Sequence, residues 1–153
     1  MTNQIALEKL RRYCAYQERC HQEVRSKLLS LKVYGDELEE IISELIDDNH
    51  LNEERFATAY ARGKFRMKRW GRIKIMQELK RRQISAYLIK KGLAEIDEKE
   101  YLQAMRDLID KYSDKQIGQH PALVRKKTAN HLFSKGYESN LVYEYLANKN
   151  LKN

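Results

Sequence analysis

The sequence predicts an all-α protein built from three tandem three-helix repeat units. Its 153 residues include one proline and six glycines, so residues that interrupt helices are rare. Apolar residues recur every three or four positions along most of the chain, which is the spacing of amphipathic helices. Charged residues make up 34% of the sequence, and this high proportion suggests a thin or elongated body with much solvated surface.

The first predicted unit spans residues 1–50 and contains three short helices. Its first two helices are expected at about 4–19 and 21–32, where apolar side chains follow the helical period. Gly35 is placed at the end of the second helix, because glycine tolerates the left-handed conformation found there. Asp36 is predicted to cap the third helix.

The second predicted unit spans residues 51–96 and repeats this pattern. Asn52 is a predicted N-cap of its first helix, since an Asn side chain can accept a hydrogen bond from a free backbone N–H group. Gly71 is expected to break this first helix, before the second helix begins. Ser85 is predicted to cap the third helix.

The third predicted unit spans residues 97–153. Asp97 is expected to cap its first helix, and the polar segment 113–120 is interpreted as a linker. Pro121 fits the first turn of the next helix, and Gly136 is predicted to end that helix.

The third helices of the units can be aligned by their apolar positions. This alignment pairs Ile42, Ile89 and Val142, which lie 47 and 53 residues apart. Because a triplet of short helices has little core of its own, neighbouring units are expected to support one another.

The segment from Arg62 to Arg82 holds most of the positive charge. Ten of its 21 residues are Lys or Arg and only Glu78 opposes them, so it carries +9 in a chain of net charge +8. Just upstream, residues 36–54 contain nine acids and no Lys or Arg. A cationic surface confined to one region indicates a polyanionic partner, and phosphates are bound by Lys and Arg without strict geometry.

The same region carries a specific motif. Residues 51–62 are LNEERFATAYAR, residues 68–75 are KRWGRIKI, and residues 78–85 are ELKRRQIS. This pattern resembles the RecX family of bacterial regulatory proteins, which modulate the RecA-type DNA recombinase. The resemblance covers about residues 5–147 and is loose at both ends. The family's Lys-Gly-Ile turn is Arg-Gln-Ile here, at residues 82–84, so this turn is expected to differ locally.

The resemblance implies an elongated, curved array of three-helix units that binds the recombinase filament on single-stranded DNA. It implies inhibition of the filament's ATPase, strand-exchange and co-protease activities, and so a role in DNA recombination, DNA repair and the SOS response. The alternative is a sequence-nonspecific DNA-binding helical module without a recombinase partner. Single-stranded DNA is the expected nucleic acid, with double-stranded DNA left open as a second.

We place the partner-binding surface on the basic segment. The predicted contact residues are Arg62, Lys64, Lys68, Arg69, Arg72, Lys74, Lys80, Arg81 and Arg82. Trp70 lies among them and has two interpretations, stacking on unpaired bases or packing within the protein.

No catalytic residue, metal site or cofactor is predicted. The sequence has no Gly-rich phosphate loop, no His-Glu-x-x-His and no nucleophile elbow, and its four histidines are scattered. Cys14 and Cys20 lie on different faces of a predicted helix and are interpreted as reduced thiols. The N-terminal segment has no long apolar run of the kind found in a signal peptide or membrane anchor. We therefore expect a cytoplasmic, non-enzymatic protein, and we expect a monomer because thin helical arrays of this kind are usually monomeric.

Overall fold

The prediction of an all-α fold is confirmed. The computed structural model describes residues 3–149, and this part of the chain contains nine α-helices and no β-strand. In order, they are α1 Gln4–Tyr16, α2 His21–Ser30, α3 Gly35–Asp47, α4 Glu53–Lys68, α5 Arg72–Arg81, α6 Ala86–Ala94, α7 Glu98–Asp114, α8 Pro121–Lys135 and α9 Ser139–Asn148. The helices follow one another in three groups of three, as predicted. The division at 50/51 and 96/97 stays a prediction.

The first helix of each triplet begins with the same kind of cap. In each case a side-chain oxygen accepts a hydrogen bond of 3.0 Å from the backbone N–H group three residues further on. The three capping residues are Asn3, Asn52 and Asp97. The predicted caps Asn52 and Asp97 are therefore confirmed, and Asn3 is an additional one.

The turn between the second and third helices is also repeated. One residue takes a left-handed conformation, with φ of 62°, 61° and 96° at Lys32, Gln83 and Gly136. The next residue donates its backbone N–H to a carbonyl five residues earlier, at 3.0–3.1 Å. This is the hydrogen-bonding pattern of a Schellman motif, which satisfies carbonyl groups at the end of the helix. The predicted end of α8 at Gly136 is confirmed.

These repeated turns correct the alignment of the units. Leu38, Ile89 and Val142 each donate a backbone N–H to the residue that precedes its helix. They are therefore equivalent, at separations of 51 and 53 residues. Pairing Ile42 with Ile89 was wrong by one helical turn, because apolar residues recur on every turn of a helix and do not define which turn is which.

Three local predictions also change. Helix α2 ends at Ser30 and Lys32 is the left-handed residue that closes it, whereas Gly35, which also has a positive φ of 57°, lies three residues later. Gly35 is instead the first residue of α3, and Tyr34 rather than Asp36 occupies the N-cap position. Helix α7 continues through Ser113 to Asp114, so the connection to α8 is shorter than the predicted linker.

Packing divides the described chain into two compact units. The N-terminal unit comprises the residues up to Ala59 together with Leu79–Gly92. The C-terminal unit comprises Tyr60–Glu78 together with the residues from Leu93 onward. Helices α4, α5 and α6 contribute residues to both units. Across the described residues, no helix combines the length and the apolar character needed to span a membrane.

Each unit has its own buried apolar side chains. In the N-terminal unit, Leu10, Leu28 and Ile41 are completely buried. In the C-terminal unit, Tyr101 and Ile109 are completely buried. Burial of a large apolar side chain contributes about 1.5–3 kcal/mol, so these residues hold the helices together.

Candidate partner-binding surface

The basic segment runs through the end of α4, the α4–α5 turn and α5. Helix α4 ends at Lys68, and Arg69 takes a left-handed conformation with φ of 57°. The backbone N–H of Trp70 then donates to the carbonyl of Lys64 at 3.2 Å. The helix thus ends before Gly71, and the interruption predicted at that glycine begins at Arg69.

Gly71 is needed for a close contact between two backbones in the C-terminal unit. Its N–H donates to the carbonyl of Lys135 at 2.7 Å, and the N–H of Ile73 donates to the carbonyl of Gly136 at 2.9 Å. A Cβ atom at Gly71 would overlap the carbonyl group of Gly136, and one at Gly136 would overlap the backbone of Lys74. Only glycines allow the α4–α5 turn to pack this closely on the α8–α9 turn.

Arg72 is committed to contacts within the C-terminal unit. Its guanidinium pairs with Glu98, lies 2.9 Å from a carboxylate oxygen of Glu138, and is 3.8 Å from the centroid of the Tyr101 ring. Its backbone N–H donates to the Tyr101 hydroxyl at 2.9 Å, and that hydroxyl donates to Glu138. Two carboxylates therefore compensate the charge of this predicted contact residue.

Two buried tyrosines hold this turn. The Tyr137 hydroxyl donates to the carbonyl of Arg69 at 2.9 Å. Burial raises the pKa of Tyr137 above its usual range, and burial together with the hydrogen bond to Glu138 does the same for the pKa of Tyr101. Both hydroxyls stay protonated at neutral pH and keep their hydrogen bonds.

The Trp70 ring contacts two lysines, one before the turn and one after it. The ammonium groups of Lys64 and Lys74 lie 4.9 and 4.6 Å from the centroid of its indole ring, within cation–π range. Tyr60 approaches the same indole edge-on, with ring centroids 6.5 Å apart. The half-buried Trp70 thus contacts Tyr60 within the protein and positions two cations, whereas stacking on an unpaired base stays a prediction.

Among the predicted contact residues of α4 and the α4–α5 turn, the exposed ones are Arg62, Lys68 and Arg69. Arg62 lies 3.9 Å from Glu95. Within the described residues, the side chains of Lys68 and Arg69 have no carboxylate at ion-pair distance. Charge that is both exposed and uncompensated is therefore concentrated at the end of α4.

Arg66 belongs to the same exposed surface, although it was not among the predicted contact residues. Arg66 and Arg69 line a shallow groove whose other lining residues include Glu100 and Asp107. Positions 62, 66 and 69 follow the three-to-four residue spacing of one helix face, and this spacing could have identified Arg66 from the sequence.

The remaining predicted contact residues lie at the end of α5, in the N-terminal unit. Lys80 and Arg81 are exposed, and Arg82 is half-buried. The carbonyl of Arg81 accepts a hydrogen bond of 3.4 Å from the side chain of Gln22. The nine predicted contact residues are thus divided between the two compact units, six in the C-terminal and three in the N-terminal one. Between residues 3 and 149, no three His, Cys, Asp or Glu side chains form a group suited to a metal ion.

The chain shares a domain with known proteins. Residues 52–93 match the family model "RecX, second three-helix domain". The chain is 28% identical over 131 residues to "Regulatory protein RecX" of Bacillus cereus (strain B4264). This alignment covers 85% of this chain and 48% of that protein. It is 25% identical over 135 residues to the protein of the same name from Geobacillus thermodenitrificans (strain NG80-2), covering 88% and 50%. The chain spans about half the length of these curated relatives.

Solved structures share the fold. A crystal structure of RecX from Lactobacillus salivarius superposes with a TM-score of 0.85 at 23% identity, covering 95% of this chain and 94% of that one. Another crystal structure of regulatory protein RecX has a TM-score of 0.83 at 22% identity, covering 94% and 72%. The matched domain, the curated relatives and the common fold together show that the chain contains a segment like the second three-helix domain of RecX and resembles RecX regulatory proteins in sequence and fold.

Proposed function

We propose that this chain is a non-enzymatic regulator that binds a RecA-type recombinase filament on single-stranded DNA. In this proposal it inhibits the ATPase, strand-exchange and co-protease activities of the filament, acting as a cytoplasmic monomer without a cofactor. The observation that carries the proposal is the exposed cationic surface at the end of α4, formed by Arg66, Lys68 and Arg69.

This surface is suited to a polyanionic partner because it is held in place before binding. The glycine contact and the Tyr137 hydrogen bond position the backbone of the turn, so little order has to be gained on binding. A filament on DNA offers both phosphates and acidic protein side chains. Uncompensated cations on a rigid turn favour association with either group.

The test is ATP hydrolysis by the cognate recombinase on single-stranded DNA, titrated with the protein. We expect hydrolysis to fall at well under one copy of the regulator per recombinase subunit, because a cooperative filament is controlled at few points. A Lys68→Glu, Arg69→Glu variant should need an at least about tenfold higher concentration to give the same inhibition. Each charge reversal removes an attractive contact with the anionic partner and also adds a repulsive one. Arg72 is left unchanged because its reversal would disrupt the ion pairs with Glu98 and Glu138.

The matched control reverses two other exposed cations of the C-terminal unit, as Lys111→Glu, Arg125→Glu. It produces the same change in net charge away from the α4–α5 turn. Equal inhibition by the wild type and the Lys68→Glu, Arg69→Glu variant would contradict the proposed surface. If the control variant inhibits hydrolysis as poorly as the Lys68→Glu, Arg69→Glu variant, inhibition depends on net charge and not on the proposed surface.

The second candidate function is a sequence-nonspecific DNA-binding module without a recombinase partner. The cluster of Lys64 and Lys74 on Trp70 favours it, since cations beside an aromatic ring are common in single-strand binding sites. If hydrolysis falls only when the protein coats the DNA, competition for the strand explains the result. Binding to naked single- and double-stranded DNA would then decide which form is preferred.

A further inference from the structure

A second cationic and aromatic surface lies in the N-terminal unit, outside the basic segment. It is a shallow groove formed by α1, α2 and the residues between and after them, and we call it the tyrosine groove. Its lining residues are Lys9, Arg12, Tyr13, Tyr16, Arg19, Lys27 and Leu31. Four of the seven are cations, two are tyrosines and none is acidic, so the groove combines positive charge with aromatic faces.

The cations of the tyrosine groove are not compensated, unlike other arginines of the same unit. Arg11 pairs with Asp48 at 2.7 Å, and Arg55 pairs with Glu18 at 2.7 Å. Arg25 pairs with Glu39. By contrast, none of the four lining cations has a carboxylate at ion-pair distance among residues 3–149. Their charge is therefore available to a ligand.

The groove is also organised in advance. The Nε–H of Arg19 donates to the carbonyl of Tyr13 at 3.0 Å, and its guanidinium carbon lies 3.7 Å from the centroid of the Tyr13 ring. Lys27 lies 5.7 Å from the same centroid. Tyr16, the last residue of α1, is 83% exposed. The guanidinium carbon of Arg19 also lies 5.9 Å from the centroid of the Tyr16 ring, so this exposed ring has a cation beside it and a face open to a ligand.

We propose that the tyrosine groove binds single-stranded nucleic acid. Phosphates would contact Lys9 and Arg12, and an unpaired base would stack on the ring of Tyr16. Single strands use both features of the groove, since their backbone carries negative charge and their bases have exposed faces. A duplex keeps its base faces covered, and an acidic peptide would use only the cations. The proposal goes beyond both candidate functions, because it assigns a binding site outside the basic segment that they use.

The first test measures binding of a fluorescein-labelled oligothymidylate by fluorescence anisotropy. Tyr16→Ala should weaken binding about tenfold, because stacking of a base contributes about 1–3 kcal/mol. The matched control is Tyr34→Ala, which removes another exposed tyrosine of the same unit outside the groove. The control should bind as the wild type does.

The second test separates phosphate contacts from general charge. Lys9→Gln, Arg12→Gln should reduce the slope of log K against log salt concentration by about 1.4, at roughly 0.7 for each phosphate contact to a single strand. The control Lys32→Gln, Lys90→Gln removes the same charge from exposed positions of the same unit outside the groove and should leave the slope unchanged. Repeating both measurements in the Lys68→Glu, Arg69→Glu background removes binding at the α4–α5 turn.

Wild-type affinity and salt dependence in both groove variants, in that background, would overturn the proposal. Loss of poly-glutamate binding in the groove variants, with oligothymidylate binding unchanged, would also overturn it and assign the groove to an acidic protein. Because the assay contains only naked DNA, its result does not depend on whether the recombinase titration succeeds.

Discussion

The two turns at the ends of α5 carry the two halves of the basic segment, yet they are held differently. The α4–α5 turn depends on residues far away in the sequence. Gly71 packs on Gly136, and the Tyr137 hydroxyl binds the carbonyl of Arg69. The position of Lys68 and Arg69 therefore depends on the C-terminal helices.

The α5–α6 turn is closed mainly by local hydrogen bonds. The N–H groups of Gln83 and Ile84 donate to the carbonyls of Lys80 and Leu79, at 2.9 and 3.1 Å. Ile84 is buried, which anchors the turn. The comparison shows that one half of a continuous basic segment is positioned by tertiary contacts and the other by the turn's own backbone. Substitutions should accordingly have large effects at the first turn and small effects at the second.

The largest effect is expected from Gly71→Ala. The added Cβ would overlap the carbonyl group of Gly136, and backbone cannot move aside as easily as a flexible side chain. We expect the free energy of unfolding to fall by about 2–3 kcal/mol. Chemical denaturation followed by circular dichroism measures this change.

Gly63→Ala is the matched control, because nothing lies within 4 Å of a Cβ at that position of α4. Alanine has the higher helix propensity, so this variant should gain about 0.5–1 kcal/mol. If Gly71→Ala unfolds at the wild-type denaturant concentration, the two turns are not in close contact.

An intermediate effect is expected from Tyr137→Phe. At neutral pH the loss of the hydrogen bond to Arg69 should cost about 1 kcal/mol. Because burial raises the pKa of Tyr137 in the folded state above the ordinary value of 10.0, the folded protein keeps this proton longer than the unfolded one. The contribution of Tyr137 to the free energy of unfolding is therefore fully present below pH 10. It falls as the pH rises above 10, by up to about 1.4 kcal/mol per pH unit.

Removal of the hydroxyl should make this alkaline loss of stability shallower. Urea denaturation of the wild type and Tyr137→Phe at several pH values above 10 measures the difference. Tyr143→Phe, at an exposed position of α9, should keep the wild-type dependence. Parallel curves for the wild type and Tyr137→Phe would show that this hydroxyl is not protected by the fold.

The smallest effect is expected at the other turn, from Gln83→Gly. Gln83 has φ of 61°, a conformation that costs a residue with a side chain about 1–2 kcal/mol and that glycine adopts freely. Glycine also makes the unfolded chain more flexible, which offsets part of this relief. We therefore expect the free energy of unfolding to rise by about 0.5–1 kcal/mol. Thermal unfolding should show a modest rise in Tm.

Gln77→Gly serves as the control, because it places the same residue in the middle of α5. It should lose about 1 kcal/mol, since glycine is a poor helix former. A loss of stability in Gln83→Gly would mean that the Gln83 side chain contributes contacts that outweigh its backbone strain. The family's glycine at this turn would then not be the more stable choice in this chain.

Several features could be predicted from the sequence because their causes are local. The period of the apolar residues defines the helices, and the all-α fold follows from it. The caps Asn52, Ser85 and Asp97 lie within three residues of the N–H groups they bind. The charge of the basic segment and the motif of the middle unit also lie in continuous stretches, so the resemblance to the RecX family is visible without knowledge of the packing.

Other features were decided by the tertiary structure. The pairing of Ile42 with Ile89 failed because every turn of an apolar helix face looks alike, and only the Schellman turns define which turns are equivalent. Arg72 resembled its neighbours in sequence, but Glu98 and Glu138, from 26 and 66 residues away, compensate its charge. Gly71 was correctly expected near a break in the helix, but its contact with Gly136 could not be predicted from either glycine alone.

Sequence alone therefore determined which segments are helical and where positive charge accumulates. Tertiary structure decided which of those charges remain available, because compensation depends on carboxylates that approach from other helices. The tyrosine groove shows the same difference, since its cations are scattered between Lys9 and Lys27 and form one surface only when α1 and α2 pack together. Helix formation responds to neighbours along the chain, whereas the chemistry of a surface responds to neighbours in space.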